Sequence, residues 1–75
     1  MSALIEYINI EQSHHTSPYR DAECMATDTA LTADEAYEKA TSAIRNRRAG
    51  GADAFRVVEG GIVVRIGRPG TLDAD

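Results

Sequence analysis

The sequence predicts a single small α+β domain of order β-β-α-β-β, in which one helix packs on one face of a four-stranded, mostly antiparallel sheet. Three observations lead to this prediction. Residues 31–51 carry the signals of one capped helix, residues 54–67 have the pattern of a hairpin, and two stretches before the helix read as strands. Because 75 residues leave room for one core, we assign residues 1–75 to one domain, ordered over about 3–67 and frayed over 68–75.

The N-terminal part is predicted to form the first two strands. Residues 4–11 are rich in β-branched and aromatic side chains and carry apolar groups on both faces. Residues 12–19 are polar and contain a Ser-Pro pair, which is typical of a loop. Residues 20–28 alternate small and acidic side chains, which favours a second strand over a helix. Its inner face would carry Cys24 with an alanine on either side, so the cysteine is predicted to be a small core residue.

The central helix has a marked start and end. Thr32 is the predicted N-cap, and Glu35 three residues later completes a T-x-x-E capping box. Three arginines within residues 45–48 suit the negative end of the helix dipole, and the glycine pair at 50–51 is predicted to stop the helix. The apolar stripe that the rest of the chain must cover consists of Ala36, Tyr37, Ala40, Ala43 and Ile44.

The clearest hairpin lies after the helix. Residues 54–67 form two β-branched runs around Gly60-Gly61, which predicts a two-residue turn at either Glu59-Gly60 or Gly60-Gly61. With Gly60-Gly61 as the turn, Arg56 lies directly opposite Arg65, where like charges disfavour each other. The other face of the hairpin is predicted to pack against the helix and consists of Phe55, Val57, Ile62, Val64 and Ile66.

A single helix covers only one face of the sheet, so the second face is predicted to stay open. Its apolar side chains form a patch too large to be left in water without a reason, and arginine is enriched at binding hot spots. We therefore expect a protein partner there. The predicted open face consists of Ile5, Tyr7, Met25, Arg56, Val58, Val63 and Arg65. The candidate partner-binding residues are Arg56, Arg65, Tyr7, Val58 and Val63, with Arg47 and Arg48 at the helix end, where dipole compensation and solubility offer a structural explanation.

Composition excludes several classes of protein. The net charge of −4 disfavours direct nucleic-acid binding, although residues 45–68 carry six arginines against two acids. No stretch approaches the roughly 20 apolar residues of a membrane span, and the N-terminus lacks the layout of a signal peptide. One cysteine cannot form a disulfide within the chain. These features indicate a cytoplasmic protein that does not enter a membrane.

No motif in the chain indicates catalysis or a cofactor. His14 and His15 are adjacent in a predicted loop and lack the further ligands at fixed spacing that a metal site needs. Cys24 has no activating histidine at a fixed spacing, and the glycine pairs lack the strand-loop-helix context of a phosphate loop. We expect no metal, no cofactor and no enzyme activity.

The segments YINIEQ, RDAECMATD, TADEAYEKATSAI and AFRVVEGGIVVRIG, together spanning about residues 3–67, resemble in order and size some small phage-encoded anti-CRISPR proteins of the type I systems. The resemblance implies a non-enzymatic inhibitor in the host bacterial cytosol. Such an inhibitor would bind a CRISPR-Cas surveillance complex or its nuclease and block target DNA binding or nuclease recruitment. Two alternatives stay open: a self-associating accessory domain that forms a homodimer through the open sheet face, and a weak nucleic-acid-binding module.

Overall fold

The structure of the protein is a computed structural model that describes residues 2–13 and 16–69. The elements are β1 (Ala3–Ile8), α1 (Pro18–Asp21), β2 (Ala26–Ala30), α2 (Ala33–Arg45), β3 (Ala54–Glu59) and β4 (Ile62–Gly67). The four strands form one antiparallel sheet in the order β2-β1-β3-β4, and α2 packs on one face of it. The predicted α+β class is confirmed. The predictions for His14, His15 and the tail 70–75 lie outside the described residues.

Strand β1 lies at the centre of the sheet, and its two faces are assigned differently from the prediction. Ile5 and Tyr7 pair with Val57 and Phe55 and are buried under α2. The prediction that Ile5 and Tyr7 lie on the open face is therefore wrong. Both faces of this strand carry apolar residues, so the sequence pattern alone does not select the face that the helix covers.

The core between sheet and helix is small. Its largest fully buried side chains are Phe55, Ile5 and Val57, whereas Ile8 is buried on the opposite face of the sheet. The rings of Tyr37 and Phe55 meet edge to face at 5.3 Å between centroids, which extends the core towards β4. The helix contributes mainly alanines, so it lies close to the sheet but buries little apolar area per turn.

The second strand begins later than predicted. Residues 20–25 are not part of it, because Arg20 and Asp21 donate backbone hydrogen bonds to the carbonyl of Ser17 and close the short helix α1. Ala22 is buried against Ile8 and Ala54, on the sheet face opposite α2. Cys24 is exposed, so the prediction that it is a core residue is wrong.

Helix α2 starts as predicted and ends earlier. The Oγ1 atom of Thr32 accepts the amide hydrogen of Glu35 at 3.1 Å, which is one half of the predicted capping box. At the other end, the amide of Arg47 donates to Ile44 and that of Arg48 donates to Ala43, as in a Schellman motif. Arg47 takes the left-handed position with φ 56°, so the predicted stop at Gly50-Gly51 is wrong by about one helical turn.

The hairpin has the predicted turn and an unpredicted bulge. Gly60 and Gly61 have φ values of 58° and 81°, as a type I′ turn requires at both central positions. Val58 pairs with Val63, but Val57 pairs with Arg65, so Val64 is an extra residue on β4.

The bulge reverses the faces of the second half of β4. Arg65 joins the α2 face, and Ile66 lies opposite Arg56 on the other face. The predictions that Arg65 faces Arg56 and lies on the open face are therefore wrong. The predicted core positions on β4 are also wrong, because Ile62, Val64 and Ile66 are exposed by 68%, 42% and 46%.

Candidate interaction surface

A groove crosses the sheet face opposite α2, and we call it the open-face groove. It encloses about 930 Å³ between α1 on one side and the tip of the β3–β4 hairpin on the other. Leu4, Val58 and Val63 line it with apolar surface, while Tyr19 and Arg20 of α1 contribute to its wall. Because this floor is apolar and the border is polar, the groove has the composition of a protein-binding surface.

Arg56 lies at the inner end of the open-face groove and is only 9% exposed. Its Nε donates to Glu6 Oε1 at 2.6 Å. Its Nη1 donates to the carbonyls of Tyr19, Arg20 and Ala22, the last two at 3.0 and 2.9 Å. Arg56 therefore joins β3 to β1 and to the α1 segment, and its guanidinium has little surface left for a partner.

The edge of the sheet next to the groove is apolar. Strand β4 is an outer strand, and every residue from 62 to 66 is exposed. We call this surface the β4 edge; its exposed apolar members are Ile62, Val63, Val64 and Ile66. A long apolar edge strand is uncommon in a soluble monomer, because its unpaired backbone groups accept a strand from another chain.

Arg65 is held on the α2 face, away from the groove. Its guanidinium lies 4.7 Å from the centre of the Tyr37 ring and forms an ion pair with Asp34 in the first turn of α2. The Asp34 side chain is 88% exposed, so the ion pair contributes little to stability. Its main effect is positional, since it fixes Arg65 over the helix.

A second cleft of about 600 Å³ lies between β2 and α2 and contains several charged side chains. Lys39 forms an ion pair with Asp28 at 3.2 Å, and the hydrogen bonds from the Thr29 amide and from Lys39 hold the pKa of Asp28 below its usual value. Burial raises the pKa of the Tyr7 hydroxyl, and the nearby Asp28 carboxylate adds to that rise. Arg48 also lines this cleft. Its charged groups are largely paired with each other, so the cleft offers less to a ligand than the open-face groove does.

The predicted partner-binding residues fall into three places. Val58, Val63 and Arg56 meet at the open-face groove, although Arg56 is buried. Tyr7 and Arg65 lie on the α2 side of the sheet. Arg47 and Arg48 are exposed beyond the end of α2. The structure does not bring the seven residues together, and whether any of them contacts a partner stays a prediction.

Several residues of the surface were not predicted from the sequence. Tyr19 and Arg20 reach the groove through α1, which was predicted to be loop and strand. The proline at the first position of α1 was the available signal, because proline favours the first turn of a helix. Ile66 reaches the open face because of the bulge at Val64, for which the sequence carries no signal.

Within residues 2–13 and 16–69, no three histidine, cysteine or acidic side chains come close enough to hold a metal ion. None of the described helices is long and apolar enough to cross a membrane. Comparisons with protein-family models, with curated proteins and with solved structures find no match to the chain.

Proposed function

We propose that this chain is a non-enzymatic inhibitor that binds another protein through the open-face groove. The observation that carries the proposal is the apolar floor of the groove, with Leu4, Val58 and Val63 beside the exposed Arg20. Exposure of such a patch does not stabilise a monomer. A partner that covers it contributes about 25 cal/mol of binding free energy for each Å² of apolar surface removed from water. The arginine at the border supplies a group that pairs with carboxylates.

We propose a CRISPR-Cas surveillance complex, or the nuclease that it recruits, as the target. This part rests on the resemblance to the small type I anti-CRISPR proteins. The structure has the order of strands, main helix and hairpin that the resemblance is based on, with α1 added between the first two strands. Such a chain acts in the bacterial cytosol by occupying a surface that target DNA or the nuclease needs.

Nucleic-acid binding receives less support as an alternative. At least three of the six arginines between residues 45 and 68 are paired with acids of the same chain, among them Arg56 with Glu6 and Arg65 with Asp34. Arg68 is also paired, with Asp53 at 3.2 Å. A phosphate backbone would have to compete with these carboxylates, and the net charge of −4 opposes its approach.

The test is a pull-down with tagged protein from a bacterial lysate that contains an active type I CRISPR system. The groove variant combines Leu4→Gln with Arg20→Glu, which changes the floor and the border. The matched control combines Leu31→Gln with Arg45→Glu, the same two changes at exposed positions outside the groove.

Wild type and control are expected to recover subunits of the surveillance complex or its nuclease, and the groove variant to lose them. Circular dichroism checks that all three are folded. If the control also lost the subunits, the loss could not be attributed to the groove, and the groove would no longer be proposed as the binding site. Recovery of none of these subunits by wild type would reject the CRISPR target.

A further inference from the structure

The two edges of the sheet are protected to different degrees. On β2, the amide of Thr29 donates to Asp28 Oδ1 at 2.8 Å, and its carbonyl accepts from Lys39 Nζ at 3.0 Å. Side chains thus occupy both backbone groups of a residue in this edge strand. On β4, no side chain from the described part of the chain hydrogen-bonds to the backbone, and the exposed side chains are mostly apolar. Of the two edges, β4 is therefore the one without side-chain protection, and the feature that disturbs regular pairing there is the bulge at Val64.

The turn and the bulge determine which backbone groups of β4 point outward. Glu59 and Ile62 close the two-residue turn and exchange backbone hydrogen bonds, so the next residue, Val63, directs its N–H and C=O away from β3. Because Val64 is an extra residue, the next residue whose backbone N–H and C=O point away from β3 is Ile66. Outward residues are two apart in a regular strand, but three apart here.

Along β4, the order in which residues lie on the α2 face or on the open face is the same from either end of the strand. Ile62 and Gly67, at the two ends, pair with Glu59 and Phe55 on the α2 face. Between them, the open-face residues are Val63, opposite Val58, and Ile66, opposite Arg56. At the centre, Val64 and Arg65 together oppose Val57.

We propose that β4 pairs antiparallel with β4 of a second copy of the chain, about a two-fold axis between Val64 and Arg65. In this register Val63 lies opposite the partner's Ile66, and Ile62 lies opposite the partner's Gly67. Directly opposed residues then lie on the same face of the joined sheet at every position. The product is a continuous eight-stranded sheet with both copies of α2 on one side.

Because of the bulge, the strand that fits the β4 edge is β4 of a second copy. A regular strand presents its inward backbone groups every two residues and cannot match outward groups that are three apart. A second β4 has the same bulge and, read in the opposite direction, the same spacing. Arg65 lies near the axis in both copies, and its own Asp34 neutralises each of them. This inference does not depend on the proposed function, although Val63 belongs both to the groove and to the proposed contact.

The first test is sedimentation velocity over a concentration range. Wild type is expected to shift from 8.1 kDa towards twice that mass as the concentration rises. Ile66→Lys, which places a charge opposite the partner's Val63, is expected to weaken association at least tenfold. Leu31→Lys is the matched control, because it makes the same change at a 73% exposed residue away from β4.

A second measurement checks the register. In a Cys24→Ser background, Val63→Cys is mixed with Ile66→Cys and oxidised. Opposed Cα atoms in a hydrogen-bonded antiparallel pair are about 5.5 Å apart, within disulfide range. The mixture is expected to form a covalent dimer, and each single variant alone is expected to form far less, because identical positions lie three residues out of register.

Three results would overturn the proposal. The first is wild type that stays monomeric up to about 1 mM. The second is a dimer that Ile66→Lys does not weaken relative to Leu31→Lys. The third is a dimer in which the mixed cysteine variants do not cross-link, which would place the contact on another surface. Folding of each variant is checked by circular dichroism, and the exposure of Ile66 means that its replacement leaves the core intact.

Discussion

At the scale of single residues, two arginines of the hairpin have opposite roles. Arg56 is buried and binds Glu6 together with three backbone carbonyls, whereas Arg65 lies on the surface with Asp34. These four acceptors offset the desolvation cost of the buried Arg56 guanidinium. It is a structural residue that ties α1 to the sheet and so forms one wall of the groove.

Arg56→Met is expected to destabilise the protein by about 3–5 kcal/mol, because it leaves Glu6 partly buried without its cation and removes the donor from three carbonyls. A domain of this size has about 5–10 kcal/mol in total, so the variant is expected to be close to unfolding. Urea denaturation followed by circular dichroism measures the change. Arg65→Met is the control and is expected to cost less than about 1.5 kcal/mol. Equal losses in the two variants would contradict the structural role of Arg56.

Asp28 gives the protein an acid-sensitive contribution to stability. The hydrogen bonds from Thr29 and Lys39 hold its folded-state pKa below the usual value of 3.8. The contribution is therefore complete above about pH 5 and is lost as the pH falls through the folded-state pKa. Asp28→Asn is expected to be less stable than wild type at pH 7 and to approach it at pH 3. Urea titrations at pH 7, 5 and 3 test this, with Glu38→Gln as a surface control. A stability difference that does not change with pH would argue against it.

At the scale of elements, the start of α2 depends on one side-chain hydrogen bond. Thr32→Ala removes the acceptor for the Glu35 amide and is expected to lower the free energy of unfolding by about 1 kcal/mol. Thr32→Ser keeps the hydroxyl and is expected to retain most of the stability. Thermal or urea unfolding of the three proteins distinguishes them. If the serine variant lost as much as the alanine variant, the cap would not be the cause.

Gly67, the last residue of β4, lies directly against the core. A Cβ atom on Gly67 would lie 2.5 Å from Cζ of the buried Phe55 and 3.3 Å from the Tyr37 ring. Gly67→Ala is therefore expected to displace one of these rings and to cost about 1–3 kcal/mol. Near-ultraviolet circular dichroism would report the changed ring packing, and urea unfolding would report the cost. Val64→Ala, at an exposed position of the same strand, is expected to have little effect on either.

The elements that could be predicted are those with local signals. The N-cap at Thr32 and the Gly60-Gly61 turn act within a few residues, and both are where the sequence places them. The stop of α2 was misplaced, because the left-handed residue is Arg47 and a glycine pair nearby gave a stronger signal. Helix α1 was missed, because four residues are too few for a periodic pattern and their position depends on Arg56, far away in the chain.

The candidate surface was harder to predict than the fold. Val58 and Val63 were assigned to the correct face because this pair lies between the turn and the bulge, where the register is regular. Beyond the bulge, a shift of one residue moves each side chain to the other face, so Arg65 and Ile66 exchanged places relative to the prediction. Tyr7 was misplaced for a different reason, since β1 is apolar on both faces and its partner strands decide which face is covered.

At the scale of the whole molecule, stability and binding draw on the same small set of apolar residues. The core contains many alanines, and several of the larger aliphatic side chains lie on β4 instead, where they are exposed. A monomer thus buries only part of the apolar surface of its side chains. Dimerisation through the β4 edge would recover some of it and would leave the open-face groove of each copy accessible, so the two proposed contacts are compatible.

The net charge of the whole chain predicts how that dimer responds to salt. Two copies that each carry −4 repel, and with centres about 25 Å apart the unscreened energy in water is about 2–3 kcal/mol. The proposed interface itself consists mainly of backbone hydrogen bonds and apolar side chains, which salt does not screen, and its Arg65 is paired with Asp34 within each copy. Raising NaCl from about 20 to about 300 mM shortens the screening length from roughly 20 Å to about 6 Å. Because the lower salt already screens much of the repulsion, dimerisation is expected to strengthen by only about three- to fivefold. Sedimentation equilibrium at several salt concentrations measures the change, with Leu31→Lys showing a smaller effect because its charge is reduced. A dimer that weakens as salt rises would instead indicate an interface of ion pairs, away from the β4 edge.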